Sequence, residues 1–287
     1  MIIGYQGSQG SYSHEACERI LEKLNLKKTV TFKGHTLSEE VFTALKKKEI
    51  DLAVLPVENS IIGNIDINTE LIQNNNVKAY REYYLEIRHV LYSSTKKNLS
   101  KIKKVYSHPA ALAQCHDFIK NEELIPMVEY DTGGACNKMI KGKYTQDSAV
   151  IAGPHCAKIY DLHQVKNNIQ KTANNYTRFL LIGCYEFELN TETCDKFSIS
   201  FSTNNDPGAL LEVLSYFREL KINLTKLESM PIPETPFNYN FFVDGELVRN
   251  SQRESTQLLK KVKEIFTKNK INYKLIGHYP THPRSSW

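Results

Sequence analysis

The chain has 287 residues, of which 24% are charged and 41% hydrophobic, with a formal net charge of +5 at pH 7. That length supports two or three packed units, and the composition excludes a disordered or fibrous class. The lysines are scattered apart from small clusters at Lys46 to Lys48 and Lys101 to Lys104, without interleaved arginine and aromatic residues. No nucleic-acid surface is therefore expected.

The first half alternates short apolar runs with amphipathic stretches, the pattern of α/β units. Ile2 to Tyr5 reads as a strand and is followed by the glycine-rich turn Gln6-Gly7-Ser8-Gln9-Gly10-Ser11. Ala16, Cys17, Ile20, Leu21 and Leu24 then recur at helical spacing. Strands are expected at Thr29 to Phe32 and Asp51 to Val57, around a helix opened by Ser38 and carrying Val41, Phe42 and Leu45. After Asn74-Asn75-Asn76, the segment Tyr80 to Tyr92 reads as long and β-rich. A strand at Val105-Tyr106, a helix from Pro109 to about Lys120, a strand at Met127 to Tyr130, a helix from Thr132 and a strand at Ala149 to Ala152 complete a second set.

Beyond Asn167-Asn168 comes Asn174-Asn175-Tyr176-Thr177-Arg178-Phe179, running into Leu180-Leu181-Ile182. The apolar half reads as a buried strand. At its mouth two amides, a hydroxyl and a guanidinium converge, which suits a small anionic ligand with a hydrogen-bonding group of its own. A strand-end cap or a structural ion pair is the competing reading of the same cluster. Thr191-Glu192-Thr193 reads as a linker, and from Lys196 the order becomes βαββαβ, a ferredoxin-like layer.

Six cysteines stand at 17, 115, 136, 156, 184 and 194 without a CxxC pair, and the N-terminus opens directly on a strand. A reducing, cytoplasmic setting is expected, with no membrane partner. His155-Cys156 invites a metal or thiol reading, yet no further ligand lies at a suitable spacing, so no metal is expected.

Several segments together resemble the prephenate dehydratase family with its C-terminal ACT domain. Gly4 through His14 is similar to the family's opening glycine-rich segment, and Pro56-Val57-Glu58-Asn59-Ser60 with Gly63 resembles its Pro-x-Glu-Asn-Ser-x-x-Gly element. Ser107-His108-Pro109 through Leu112-Ala113-Gln114-Cys115 resembles a third motif, and Asn175-Tyr176-Thr177-Arg178-Phe179 the Asn-x-Thr-Arg-Phe signature. Gly208-Ala209-Leu210 and Glu228-Ser229 resemble the two ACT segments that enclose phenylalanine. Two positions depart from the pattern: Met230 stands where the family usually carries arginine, and Ala110 where glutamine is common.

The resemblance implies a two-lobed catalytic domain like a periplasmic binding protein over residues 1–190, with lobe 1 at 1–77 and 169–190 and lobe 2 at 78–168, then an ACT domain over 195–280. It implies a cofactor-free lyase that converts prephenate to phenylpyruvate in phenylalanine biosynthesis, or arogenate to phenylalanine. Thr177 would serve the departing hydroxyl and Arg178 a carboxylate. Ser11, Glu58, Asn59, Ser60, Ser107, His108, Thr132, Asn175 and Phe179 would bind substrate. His108 reads first as a helix cap, and Arg178 pairing with Glu58 is not exclusive of ligand binding. L-phenylalanine would bind as effector at Gly208, Ala209, Leu210, Glu228 and Ser229 in a homodimer or homotetramer. No chorismate mutase activity is expected. A metabolite sensor without turnover is the competing class, and it gives no reason for the Thr177-Arg178 pair.

Overall fold

The computed structural model describes residues 1–24, 29–187, 189, 193–232, 235, 238–247 and 252–282. The expected linker at Thr191-Glu192 lies outside the described residues. By contacts the chain divides into two units, Met1–Ile65 with Tyr83–Phe179, and Asp66–Glu82 with Leu180–Ser286. The sequence-based division had kept 66–77 and 180–190 with the first lobe.

The first unit opens with β1 (Ile2–Gln6), α1 (Tyr12–Lys23), β2 (Thr31–His35), α2 (Ser38–Lys46), β3 (Leu52–Asn59) and β4 (Gly63–Asn64). β1 lies between β2 and β3, parallel to both, with Ile3 opposite Phe32 and Leu52. The continuous apolar run of β3 is what a parallel strand covered on both faces requires. Next come α3 (Asp66–Asn74), which falls wholly in the second unit, and β5 (Lys78–Glu86), which passes from the second unit to the first after Glu82. The second sheet of the first unit is built from β6 (Val90–Ser93), β7 (Lys104–Ser107), α4 (Pro109–Gln114), α5 (His116–Asn121), β8 (Ile125–Val128), α6 (Thr132–Ile140), β9 (Ser148–Ala152), α7 (Cys156–Ile159) and β10 (His163–Lys166). Its strand order is β10-β6-β9-β7-β8. Its core divides between two buried clusters, one around Leu91, Val105, Cys115 and Ile151 and one around Tyr92, Cys136, Met139 and Val150.

One β-rich stretch and one expected helix are each divided in two. The stretch from Tyr80 to Tyr92 ends as β5 at Glu86 and restarts as β6 at Val90, because the His89 ring and backbone turn to Gln114 and Gln170 instead of continuing a ladder. The helix from Pro109 to Lys120 is interrupted at Cys115, whose φ and ψ of −103° and 12° leave the helical region.

β11 (Tyr176–Gly183) follows, then β12 (Lys196–Ser202), α8 (Ala209–Glu219), β13 (Asn223–Pro231), β14 (Tyr239–Glu246), α9 (Gln252–Lys268) and β15 (Asn272–Tyr279). The order β13-β14-β12-β15 with two helices matches the expected ferredoxin-like layer. Its core is aromatic: Phe197, Phe201, Phe217 and Phe266 are each at most 1% exposed. In the same unit, Lys196 and Glu82 form a 2.8 Å ion pair with both side chains 1% exposed. Lys274 donates to the carbonyls of Ile72 and Gln73 at 3.0 and 2.9 Å, a cation closing the last turn of α3.

Candidate active site

A cavity of about 400 Å³ opens within the first unit. Its walls come from the turn before α1 (Gly7, Ser11), the end of β3 (Asn59), β11 (Thr177, Phe179), the break between β5 and β6 (His89), α4 (Gln114) and the start of α6 (Asp131, Thr132). Backbone demands shape that turn. Gly7 has φ +106°, in the left-handed region, and a Cβ at Gly133 would collide with the Gln9 carbonyl and the Ser11 amide. The N-terminal turns of α1 and α6 are thereby brought to the same cavity.

Three helix starts contribute to the lining: Ser11, Tyr12 and Ser13 of α1, His108 and Ala110 of α4, and Asp131 and Thr132 of α6. The Ser11 hydroxyl accepts the His14 N–H at 3.3 Å, and His108 Nδ1 accepts the Ala110 N–H at 3.2 Å, so His108 is a cap. Burial pushes its imidazole pKa down, with Asp131 opposing. Asp131 accepts the Gly134 N–H at 2.6 Å and the Ser8 hydroxyl at 2.8 Å. Helix starts attract carboxylates through free amides and the positive dipole end. Among the described residues, no lysine or arginine lines this cavity.

One hydrogen-bonded chain runs along the wall, and its direction follows from the backbone. Asn59 Oδ1 accepts the amides of Ile61 and Ile62 at 3.0 and 3.1 Å, so its Nδ2 must point the other way. That nitrogen donates to Asn175 Oδ1 at 2.8 Å and Thr177 Oγ1 at 2.9 Å. Asn175 Nδ2 then donates to Gln114 Oε1 at 2.8 Å. Because Gln114 Oε1 only accepts, His89 must bring a proton on Nε2, 2.7 Å away. The Tyr12 hydroxyl, 2.8 Å from His89 Nδ1, is left as its donor in the neutral ring. Burial lowers the His89 pKa, which agrees with a neutral imidazole. At the end of the chain Thr177 has one lone pair occupied, and its own proton remains to be given to a ligand.

Strand alternation separates Thr177 from Arg178. Thr177 and Phe179 line the cavity, whereas Arg178 does not. Its guanidinium is 2% exposed, with Nη1 3.8 Å from a Glu58 carboxylate oxygen. Ser107, wholly buried, donates to the Ile151 carbonyl at 2.6 Å. Ser60 bridges to the backbone of Asn174 and Tyr176. Glu58, Ser60 and Ser107 thus support the site without lining it, while Ser11, Asn59, His108, Thr132, Thr177 and Phe179 line it. Asn175, fully buried, stands one bond behind the wall. Sequence reasoning missed Tyr12, His89, Gln114 and Asp131. Tyr12 and Gln114 sat inside quoted motifs, and His89 was the one imidazole in a stretch read as β-rich.

Comparison with known proteins decides the family. Residues 3–186 match the family model described as prephenate dehydratase. The chain belongs to the prephenate dehydratase family. A prephenate dehydratase of Lactococcus lactis subsp. cremoris is 31% identical over 287 residues, 98% of each chain. A chloroplastic arogenate dehydratase/prephenate dehydratase of Arabidopsis thaliana is 35% identical over 253 residues, 85% of this chain and 65% of that protein. The prephenate dehydratase of Arthrobacter aurescens, solved in complex with L-Phe, shares the fold with a TM-score of 0.81 at 22% identity, over 97% of this chain and 89% of that one. No helix among the described residues is long and apolar enough to cross a membrane.

Proposed function

We propose that the chain is a dehydratase that converts prephenate to phenylpyruvate, with loss of carbon dioxide and water. The observation that carries this reading is the Thr177 hydroxyl, whose oxygen accepts from Asn59 while its proton is free for the cavity. In the reaction the bond from the ring to its carboxylate breaks and its electron pair enters the ring. The ring C–O bond then leaves with its own pair, and the departing oxygen takes up a proton. Electrons balance without a redox partner, since aromatisation supplies the driving force. Thr177 offers a hydrogen bond that strengthens as negative charge builds on that oxygen. The amides at the starts of α1 and α6 suit the carboxylates, and Ile62, Ile65, Ile87 and Phe179 suit the ring. In this reading Arg178 is a buried charge that braces Thr177 from the opposite strand face.

The arogenate reading is supported by Asp131, a carboxylate on a wall with no lining cation, which suits an ammonium better than a keto group. Supplying prephenate and arogenate separately, and following phenylpyruvate and phenylalanine, tests both. Turnover of neither substrate overturns the dehydratase reading.

We extend the proposal to the ferredoxin-like layer as an ACT domain binding L-phenylalanine through Gly208, Ala209 and Leu210, with Glu228 and Ser229 supplied across a homodimer or homotetramer. A cavity of about 330 Å³ lined by Asp206, Gly208 and Ala209 supports the first half of that site. Within one chain Glu228 is engaged by Lys226 at 3.1 Å. Equilibrium binding of phenylalanine to the full chain tests it, and no binding at millimolar ligand removes it. All six cysteines are free, which fits the cytoplasmic placement expected from sequence.

A further inference from the structure

His155 has no ligand partner at a readable spacing in the sequence, and the fold supplies two. His14 and Glu18 lie one turn apart on α1, and His155 stands between β9 and α7. Both imidazoles are nearly enclosed, 5% and 3% exposed. His155 Nε2 lies 3.2 Å from His14 Nδ1 and 3.6 Å from Glu18 Oε1, and Glu18 Oε1 lies 3.9 Å from His14 Nε2. One ligand atom from each residue falls within 4.8 Å of the other two.

Two donors bound tetrahedrally to zinc at their usual distances stand about 3.4 Å apart, and the two separations that share His155 Nε2, 3.2 Å from His14 Nδ1 and 3.6 Å from Glu18 Oε1, bracket that value. The Gly10 N–H reaches His14 Nδ1 only at 3.4 Å, a weak competitor for that lone pair. Burial lowers the pKa of both rings, so each offers a lone pair at neutral pH. The Glu18 side chain, 41% exposed, gives an ion a route from solvent and supplies negative charge.

We propose that His14, Glu18 and His155 bind one divalent transition-metal ion of the zinc class, with a fourth position left to water. Two imidazoles and one carboxylate select such an ion over magnesium or calcium, which prefer oxygen donors. The ion would tie α1 to the segment after β9 and so fix the turn that presents Ser11 to the cavity, since the Ser11 hydroxyl holds the His14 amide. The competing arrangement is a plain hydrogen bond between two neutral imidazoles.

The test uses the full chain, stripped with chelator and titrated with zinc chloride and then cobalt chloride. One equivalent should bind, raise the thermal midpoint by a few degrees, and give cobalt the visible d–d bands of a nitrogen and oxygen site. Glu18→Gln leaves the core untouched, and His155→Gln keeps a hydrogen-bonding group beside His14. Each should weaken binding by about 100-fold or more, the upper end of what even outer-shell changes cost. No saturable binding overturns the proposal, as does undiminished affinity in both variants. A cobalt spectrum with thiolate charge-transfer bands would move the ion to a cysteine and overturn it equally.

Discussion

The wall around Thr177 and the core of the ferredoxin-like layer solve burial in opposite ways. The wall buries amides, an imidazole and hydroxyls, and joins them in one chain whose direction two backbone N–H groups impose. The layer packs phenylalanines at its centre and keeps its buried charges partnered, Lys196 with Glu82, Lys226 with Glu228 and Asp244 with Ser198. A fully connected polar chain costs stability relative to apolar packing yet holds one arrangement. An aromatic core gives stability and asks for no direction. Damage to the first should therefore appear as lost rate in a folded protein, and damage to the second as lost stability with normal turnover in what stays folded.

The largest effect is expected in the layer. Phe266→Ala removes a ring that touches Phe201, Phe217 and Tyr273, and should cost about 3–5 kcal/mol by urea unfolding. Unchanged unfolding would show that the ring is not central to that core. Thr177→Ala should follow, with a loss of about 100- to 1,000-fold in kcat and little change in the unfolding midpoint, the scale of one donor to a developing oxyanion. A rate within twofold of the parent would assign the hydroxyl to strand structure. Gln114→Ala keeps Thr177 but leaves Asn175 Nδ2 without its acceptor. It should lower kcat by about tenfold with KM nearly constant, since it disturbs orientation more than binding. A rise in KM alone would mean that Gln114 holds substrate directly.

The layer was legible in the sequence because its pattern is local: strand alternation at Phe197 to Phe201 and helical spacing at Leu210, Leu211, Leu214 and Phe217 each announce themselves within a few residues, although Leu211, read as core, is exposed. The candidate site was legible only where the chemistry sat in one short run. Asn175, Thr177 and Phe179 stood together, whereas the expectation that the Arg178 guanidinium converges with the Thr177 hydroxyl overlooked strand alternation. What joins Asn59 to Asn175 spans 116 positions, and His89 to Gln114 spans 25. No periodicity reports such pairs, since the first is created by the return of β11 beside β3 and the second by α4 meeting the break between β5 and β6. The His14–His155 pair, 141 positions apart, was hidden for the same reason.

The smallest effect is one of pH. His89 is held neutral by burial, its pKa lowered from 6.5, so the folded state binds fewer protons than the unfolded chain below that value. The stability this represents is complete above pH 6.5 and is lost as the pH falls through the window beneath it. Each proton that only the unfolded chain takes up contributes a slope of about 1.4 kcal/mol per pH unit. The parent should therefore lose stability between pH 6.5 and 5. His89→Gln can still donate to Gln114 but cannot titrate, and its unfolding free energy should fall less over that range. An identical slope in parent and variant would mean that the ring charges without leaving its place, with the Tyr12 hydroxyl turning to the Arg88 carbonyl 2.9 Å away.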